Sequence, residues 1–174
     1  MRGKTCVVTG AAQSIGLGIA EGYCEIGAQV AAIDIKPEVI ARAEELCKAG
    51  HKVRGYVLDI THRDAVFSCF EDVTKRFGPV FALVNCAGLV EQTPFEEITP
   101  RQLERICKIN INGSVYCTQA ALKTMKSHHD GRIINFSSKS GKTGSALMAA
   151  YSATKGAIIA LTQAMAHELS LIHI

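Results

Sequence analysis

The run "AAYSATKGAIIALTQAMA" (residues 149–166) is built from small and apolar residues, yet it carries Tyr151 and Lys155 four apart. On a helix such a pair shares one face, a single turn apart. A free tyrosine titrates near pH 10, too high to take up or deliver protons readily at neutral pH. An ammonium one turn away favours the phenolate and draws that value toward the working range. Ser138, thirteen residues before Tyr151, closes the run "NFSS". Its hydroxyl suits a hydrogen bond to a carbonyl or alkoxide oxygen, which Tyr151 then protonates or deprotonates while hydride crosses to or from a nicotinamide. The residue types fit carbonyl–alcohol redox. With 4 tyrosines and eleven lysines, a Tyr-x-x-x-Lys arises by chance in roughly one such chain in four. Its weight therefore depends on its company.

That company lies after the apolar runs. The first run ends in "TGAAQSIG": Gly10 permits a sharp turn, and Gly16 lets a helix N-terminus approach a diphosphate with no Cβ between them. Asp34 closes the second run, where a carboxylate can accept from both hydroxyls of an adenosine ribose. Against a 2′-phosphate it repels by about 4 kcal/mol for unit charges roughly 4 Å apart at an effective dielectric near 20. Gln13, where a basic side chain would meet that phosphate, is neutral, while Lys36 nearby softens the discrimination. NAD(H) is favoured over NADP(H). Asp59, followed by Ile60, closes the third run and can accept from an adenine amino group. "NCAG" (residues 85–88) closes the fourth, its Ala87 and Gly88 small enough to let backbone lie along a cofactor. Each feature alone is also ordinary turn chemistry.

The elements that must position these residues alternate along the chain. Strands are expected at residues 4–10, 28–34, 52–60, 80–88 and 131–138. Helices are expected at 14–27, at 37–50 between a proline and a glycine, and at 61–78 with Thr61 and Asp64 in capping-box spacing. Residues 99–125 read as one long helix or two abutting ones. Strand–helix–strand at this spacing means right-handed βαβ units and a parallel sheet. The continuously apolar runs suit strands covered on both faces. The expected fold is α/β: a Rossmann-type, doubly wound, three-layer αβα domain over residues 1–174, with five strands in the order 3-2-1-4-5. Ligands of such sheets bind at the carboxyl ends of the strands, near the switch point.

Composition narrows the function class. A net charge of +3, scattered along the chain, argues against a nucleic-acid surface. No run of about 18 apolar residues is present to span a membrane. The apolar strand starting four residues into the chain leaves no room for a secretion signal. Seven cysteines with no close pair read as small buried thiols in a reducing compartment. The expected location is cytoplasmic. "SHHD" (residues 127–130) reads as a helix-to-strand loop, because adjacent histidines point apart and offer no metal set.

In their order, "TGAAQSIG", Asp59, "NCAG", "NING" (residues 110–113), Ser137–Ser138 and "YSATK" resemble the classical short-chain dehydrogenase/reductase family across nearly the whole chain. The resemblance implies a tetrad. Tyr151 is the acid/base, Ser138 orients the substrate oxygen, Lys155 lowers the tyrosine pKa and binds the nicotinamide ribose, and Asn110, from a break in the long helix, holds a water of the proton relay. It also implies cofactor contacts at Gly10, Gln13, Ser14, Ile15, Gly16, Asp34, Asp59, Ile60, Asn85, Ala87 and Gly88, beside Tyr151 and Lys155.

Two positions depart from the family pattern. Ser14 stands in place of the usual middle glycine, costing about 1–2 kcal/mol if the backbone there is left-handed, and Cys86 replaces a second asparagine. "NFSSKSGKTGS" resembles sugar-alcohol dehydrogenases, so a polyol is the expected substrate. The alternatives are an NADPH-dependent 3-oxoacyl-thioester reductase and a non-catalytic dinucleotide-sensing protein. Gly156, Ala160 and Ala164 give the last helix a small-residue face, read either as packing on the sheet or as a contact of a homo-oligomer. Family members usually continue some 70–80 residues further, through another helix and two strands. Residues 169–174, "LSLIHI", are read as a sequencing-adapter end, and the 174 residues alone are expected to have an exposed sheet edge and no turnover.

Overall fold

The computed structural model describes residues 1–169; of the "LSLIHI" run, all but Leu169 lies outside the described residues. Five parallel strands form one sheet: β1 (Thr5–Thr9), β2 (Gln29–Asp34), β3 (Lys52–Val57), β4 (Val80–Asn85) and β5 (Arg132–Asn135). Their order across the sheet is β3-β2-β1-β4-β5. Central β1, "TCVVT", is buried at every position, which is why its apolar run does not alternate. Its side chains still point alternately to the two faces. Cys6 and Val8 join Val30, Ala32 and Val84 beneath α1 (Ser14–Glu25) and α2 (Glu38–Lys48). Val7 joins Ile33 and Leu83 beneath α3 (Arg63–Phe77) and α5 (Ser114–His128). Two separate cores on one sheet make three layers. Fully buried Phe70 on α3 and Met125 on α5 each add about 1.5–3 kcal/mol relative to exposure.

Strand ends shift by a few residues from expectation, because hydrogen-bonded pairing stops before the turn residues do. The strands finish level: Thr9 pairs with Ile33 and Asn85, and Asn85 with Asn135. Functional loops are thus gathered on one rim. Helices α1, α2 and α3 are followed by Gly27, Gly50 and Gly78 at φ +81°, +92° and +90°, the left-handed stop that glycine adopts freely.

Three expectations are corrected. The Thr61–Asp64 capping box does not form; α3 starts at Arg63 without a side-chain cap, because Asp59 Oδ1 captures the Thr61 N–H at 2.9 Å. Ser127 and His128 belong to the last turn of α5 rather than a loop, and His129 ends that helix at φ +50°. Cys47 is exposed, whereas Cys6, Cys24 and Cys117 are buried; burial raises these three thiols to about 12, 11 and 12, leaving them protonated.

The long helix is interrupted. After Thr99 and Gln102 close a reciprocal capping box, α4 (Pro100–Cys107) runs into a π-helical segment, Lys108–Gly113, which leads into α5. A short helix α6 (Ser140–Thr143) and the 21-residue α7 (Ala149–Leu169) complete the order. Ala160 and Ala164 on α7 are exposed, so that part of the small-residue face does not pack on the sheet.

Candidate active site

At the β1–α1 turn, Gly10 takes φ +71° and passes so close to β4 that a Cβ would lie 2.9 Å from the Ala87 Cα. A Cβ on Gly16 would collide with the Gly10 carbonyl. The two glycines therefore let the α1 N-terminus close over the end of the sheet, with its first N–H groups turned outward. Ser14 has φ +52°, the left-handed conformation that disfavours a side chain. Thr9 secures the adjoining turn: its hydroxyl oxygen accepts from the Cys86 and Ala87 N–H groups, each at 3.1 Å. Nothing in the sequence reading singled out this threonine, although it directly precedes Gly10.

Above these turns opens a cavity of about 830 Å³. Every cofactor residue named from the sequence lines it except Asn85, Tyr151 and Lys155. Asp34 is 9% exposed. Its Oδ2 accepts from the Ala12 N–H and its Oδ1 from the Lys36 N–H, both at 2.9 Å. The carboxylate is thereby aimed, and each oxygen keeps a lone pair for a hydroxyl. Asn85 has another job. It is buried, and its amide donates to Asn135 Oδ1 at 2.8 Å and Thr118 Oγ1 at 3.1 Å. Asn135 in turn donates to Thr162 on α7 at 3.0 Å. This polar ladder ties α5, β4, β5 and α7 together.

Beyond the cavity, Lys155 is buried, and its Nζ donates to the Phe136 carbonyl at 2.6 Å. The same Nζ lies 5.7 Å from the Tyr151 ring centroid. Burial holds its pKa below the ordinary lysine value, while nearby Cys86 acts weakly the other way. A Cβ on Gly88 would sit 3.6 Å from Lys155 Nζ and 3.4 Å from Asn110 Oδ1, so the cavity wall meets Lys155 and Asn110 at this glycine. Asn110 projects from the π-helical segment. Its Oδ1 accepts from the Leu89 N–H at 2.7 Å, and its Nδ2 donates to the Leu89 carbonyl at 2.9 Å and to Thr154 Oγ1 at 3.0 Å. Thr154 passes the connection on to the Tyr151 carbonyl at 2.7 Å.

Ser138 follows β5, and its Oγ accepts from the Ser140 N–H at 3.2 Å. Ser137 donates to the Lys155 carbonyl at 2.8 Å. A Cβ on Gly141 would lie 2.6 Å from the Lys155 carbonyl carbon, so α6 and α7 touch backbone to backbone. Thr154 and Gly141 escaped the sequence reading because their roles exist only once α7 packs against the π-helical segment and against α6; Ser140 escaped it because its main-chain N–H, not its side chain, meets Ser138.

A nicotinamide dinucleotide fits this rim: the glycines clear backbone at the α1 N-terminus, Asp34 is preset for a ribose, and Gly88 opens the way to Lys155. The short chain dehydrogenase model matches residues 4–174. The chain belongs to the short-chain dehydrogenase family. Among short-chain dehydrogenases it is 38% identical over 162 residues to the sorbitol dehydrogenase of Cereibacter sphaeroides, covering 92% of this chain and 62% of that one. With the galactitol 2-dehydrogenase of Agrobacterium fabrum it shares 35% over 168 residues, covering 95% and 64%. The crystal structure of an NAD+-bound xylitol dehydrogenase superposes with a TM-score of 0.95 at 34% identity, covering 99% of this chain and 67% of that one. The chain thus spans a little under two thirds of the length of these curated relatives. Among the described residues, no helix is long and apolar enough to cross a membrane.

Proposed function

We propose that the protein is an NAD(H)-dependent oxidoreductase that interconverts a secondary alcohol and a ketone, with a polyol as substrate. The observation that carries this reading is the buried Lys155 ammonium, fixed on the Phe136 carbonyl beside both Tyr151 and Gly88. The bound nicotinamide supplies hydride transfer. Tyr151 takes the alcohol proton during oxidation and returns it during reduction. Lys155 stabilises negative charge on the tyrosine oxygen in surroundings where water screens it weakly. Because Ser138 Oγ already accepts from Ser140, its own hydrogen is free to donate to the substrate oxygen. Asn110 has both amide hydrogens committed, leaving the second lone pair of Oδ1 to hold a relay water. Asp34 favours NAD(H) by accepting from the ribose hydroxyls. The polyol assignment is supported by the sorbitol, galactitol and xylitol dehydrogenases among the relatives.

The test has two parts. Titration calorimetry on the 174 residues should show NADH binding. In the complete gene product, Tyr151→Phe should abolish NADH formation from sorbitol, galactitol or xylitol while NADH still binds. A folded protein that binds no NADH, or a Tyr151→Phe variant retaining more than a tenth of the turnover, would refute the reading.

A further inference from the structure

A second cavity, of about 260 Å³, lies at the opposite end of the sheet from the strand-end rim. It opens where β1, β2 and β3 begin, with Thr5 paired to Gln29 and Gln29 to Lys52. Arg2, His51 and Lys52 line it, and among the described residues its lining includes no aspartate or glutamate. Arg2 and Lys52 are exposed and His51 is half-buried. No hydrogen bond or ion pair holds any of these three side chains among the described residues. Cys24 on the wall adds no negative charge, because burial pushes its thiol up to about 11, with Glu21 and Glu25 on α1 raising it further from outside the lining. The walls are fixed by their own bonds. Gln29 has both amide hydrogens committed, to the Gly3 carbonyl at 2.9 Å and the Phe77 carbonyl at 3.0 Å. The last turns of α1 and α2 are closed by main-chain bonds from Gly27 to Cys24, Ala28 to Tyr23, Gly50 to Cys47 and His51 to Leu46, at 2.9 to 3.1 Å. The cations are therefore not spent as caps on those helix ends.

We propose that this second cavity binds a phosphate dianion, as the inorganic ion or as the phosphate group of a small metabolite. The site stands apart from the strand-end cavity and does not rest on the function proposed above. Arg2 and Lys52 supply two permanent positive charges, which match the two charges of the ligand. The planar fork of Arg2 takes two phosphate oxygens in parallel, and Lys52 adds a compact charge with three donors. A ring N–H of His51 gives one more donor. Because the surrounding turns are already held by their own hydrogen bonds, only three side chains lose freedom when the anion enters. The volume falls below the roughly 300 Å³ at which pockets for cofactor-sized ligands begin, so it suits a small anion and excludes a dinucleotide. A monoanion such as acetate answers only half of the charge.

The experiment is calorimetric titration of the 174 residues at about pH 8 and constant ionic strength, with inorganic phosphate, with glycerol 3-phosphate and with acetate as the monoanion control. The expected result is a phosphate dissociation constant of about 1 mM, with acetate at least tenfold weaker. Arg2→Gln and Lys52→Gln should each weaken phosphate binding about tenfold. Glycerol 3-phosphate binding more tightly than inorganic phosphate supports the site and assigns it to a metabolite; equal or weaker binding supports it and assigns it to the inorganic ion. Amide NMR of the parent locates the ligand without relying on a variant: signals of Gly27, Ala28, Gly50 and His51 should shift, and those of residues 10–16 should not. Absence of phosphate binding overturns the proposal, as does acetate binding as tightly as phosphate, or an affinity unchanged in both variants. Shifts confined to residues 10–16 also overturn it, because they place the phosphate at the α1 N-terminus.

Discussion

Lys155 carries its ammonium out of water and into contact with a main-chain carbonyl, and the charge costs stability there. Burial holds its pKa below the ordinary value of 10.5. Below the depressed value both folded and unfolded chains carry the proton, and the full penalty is present. Between the two values the unfolded chain binds more protons, so stability rises with pH through that window. Lys155→Met removes the titration and the penalty. The stability gap between Lys155→Met and the parent should therefore shift in the parent's favour as pH rises from neutral toward 10.5. Urea unfolding of both proteins across that range measures it. Cys86 feels the Lys155 charge, so the comparison is made with Cys86→Ala in both proteins, and the remaining thiols cancel in the difference. A gap that stays constant with pH would show that the buried ammonium is not the source.

At the scale of elements, the π-helical segment is what brings α4 and α5 into register with the site. Asn110 anchors it by bonding both main-chain groups of Leu89 and the hydroxyl of Thr154, joining the loop after β4 to α7. Asn110→Ala deletes three hydrogen bonds and leaves the Leu89 N–H and carbonyl without partners, at about 1–3 kcal/mol for each orphaned group. The expected loss of stability is about 2–4 kcal/mol, read from the urea midpoint at unchanged slope. A loss below about 0.5 kcal/mol would mean that water replaces the amide at no cost. The residues alone left 99–125 open between one long helix and two abutting ones, and the family resemblance placed the break at "NING". Where glycine and proline punctuate the chain, as at Pro37, Gly27 and Gly50, element order could be read directly. The Thr61–Asp64 cap failed because a carboxylate from the preceding strand end, Asp59, reached the Thr61 N–H first, a competition that residue spacing does not display.

For the molecule as a whole, the rim of the sheet is the functional unit. Its strand order was legible because buried strands read as unbroken apolar runs and short βα turns leave few topologies. The cavity-lining positions named from the sequence were legible because each sits at or just past the end of such a run, whereas Arg101, Glu104, Arg105, Lys108 and Ile109 line it from α4 and the π-helical segment. The side-chain ladder from Thr118 through Asn85 and Asn135 to Thr162 was not legible, because four separate elements must be docked before its members meet. The cavity draws walls from the ends of β1, β2, β3 and β4 and from the π-helical segment, so a bound dinucleotide links parts of the chain far apart in sequence. It binds the folded rim and not the unfolded chain. Stabilisation should follow mass action, about 2.7 kcal/mol at a hundred times the dissociation constant. For a chain of this length that amounts to a rise of about 5–10 °C in unfolding midpoint. Thermal unfolding with graded NADH measures the rise. AMP, which reaches only the strand ends beside Asp34 and Asp59, should leave amide exchange at Gly88, Leu89 and the π-helical segment unchanged, whereas NADH should slow it. Equal protection by the two ligands would place the dinucleotide's nicotinamide half away from Lys155 and remove the geometric basis for hydride transfer at this site.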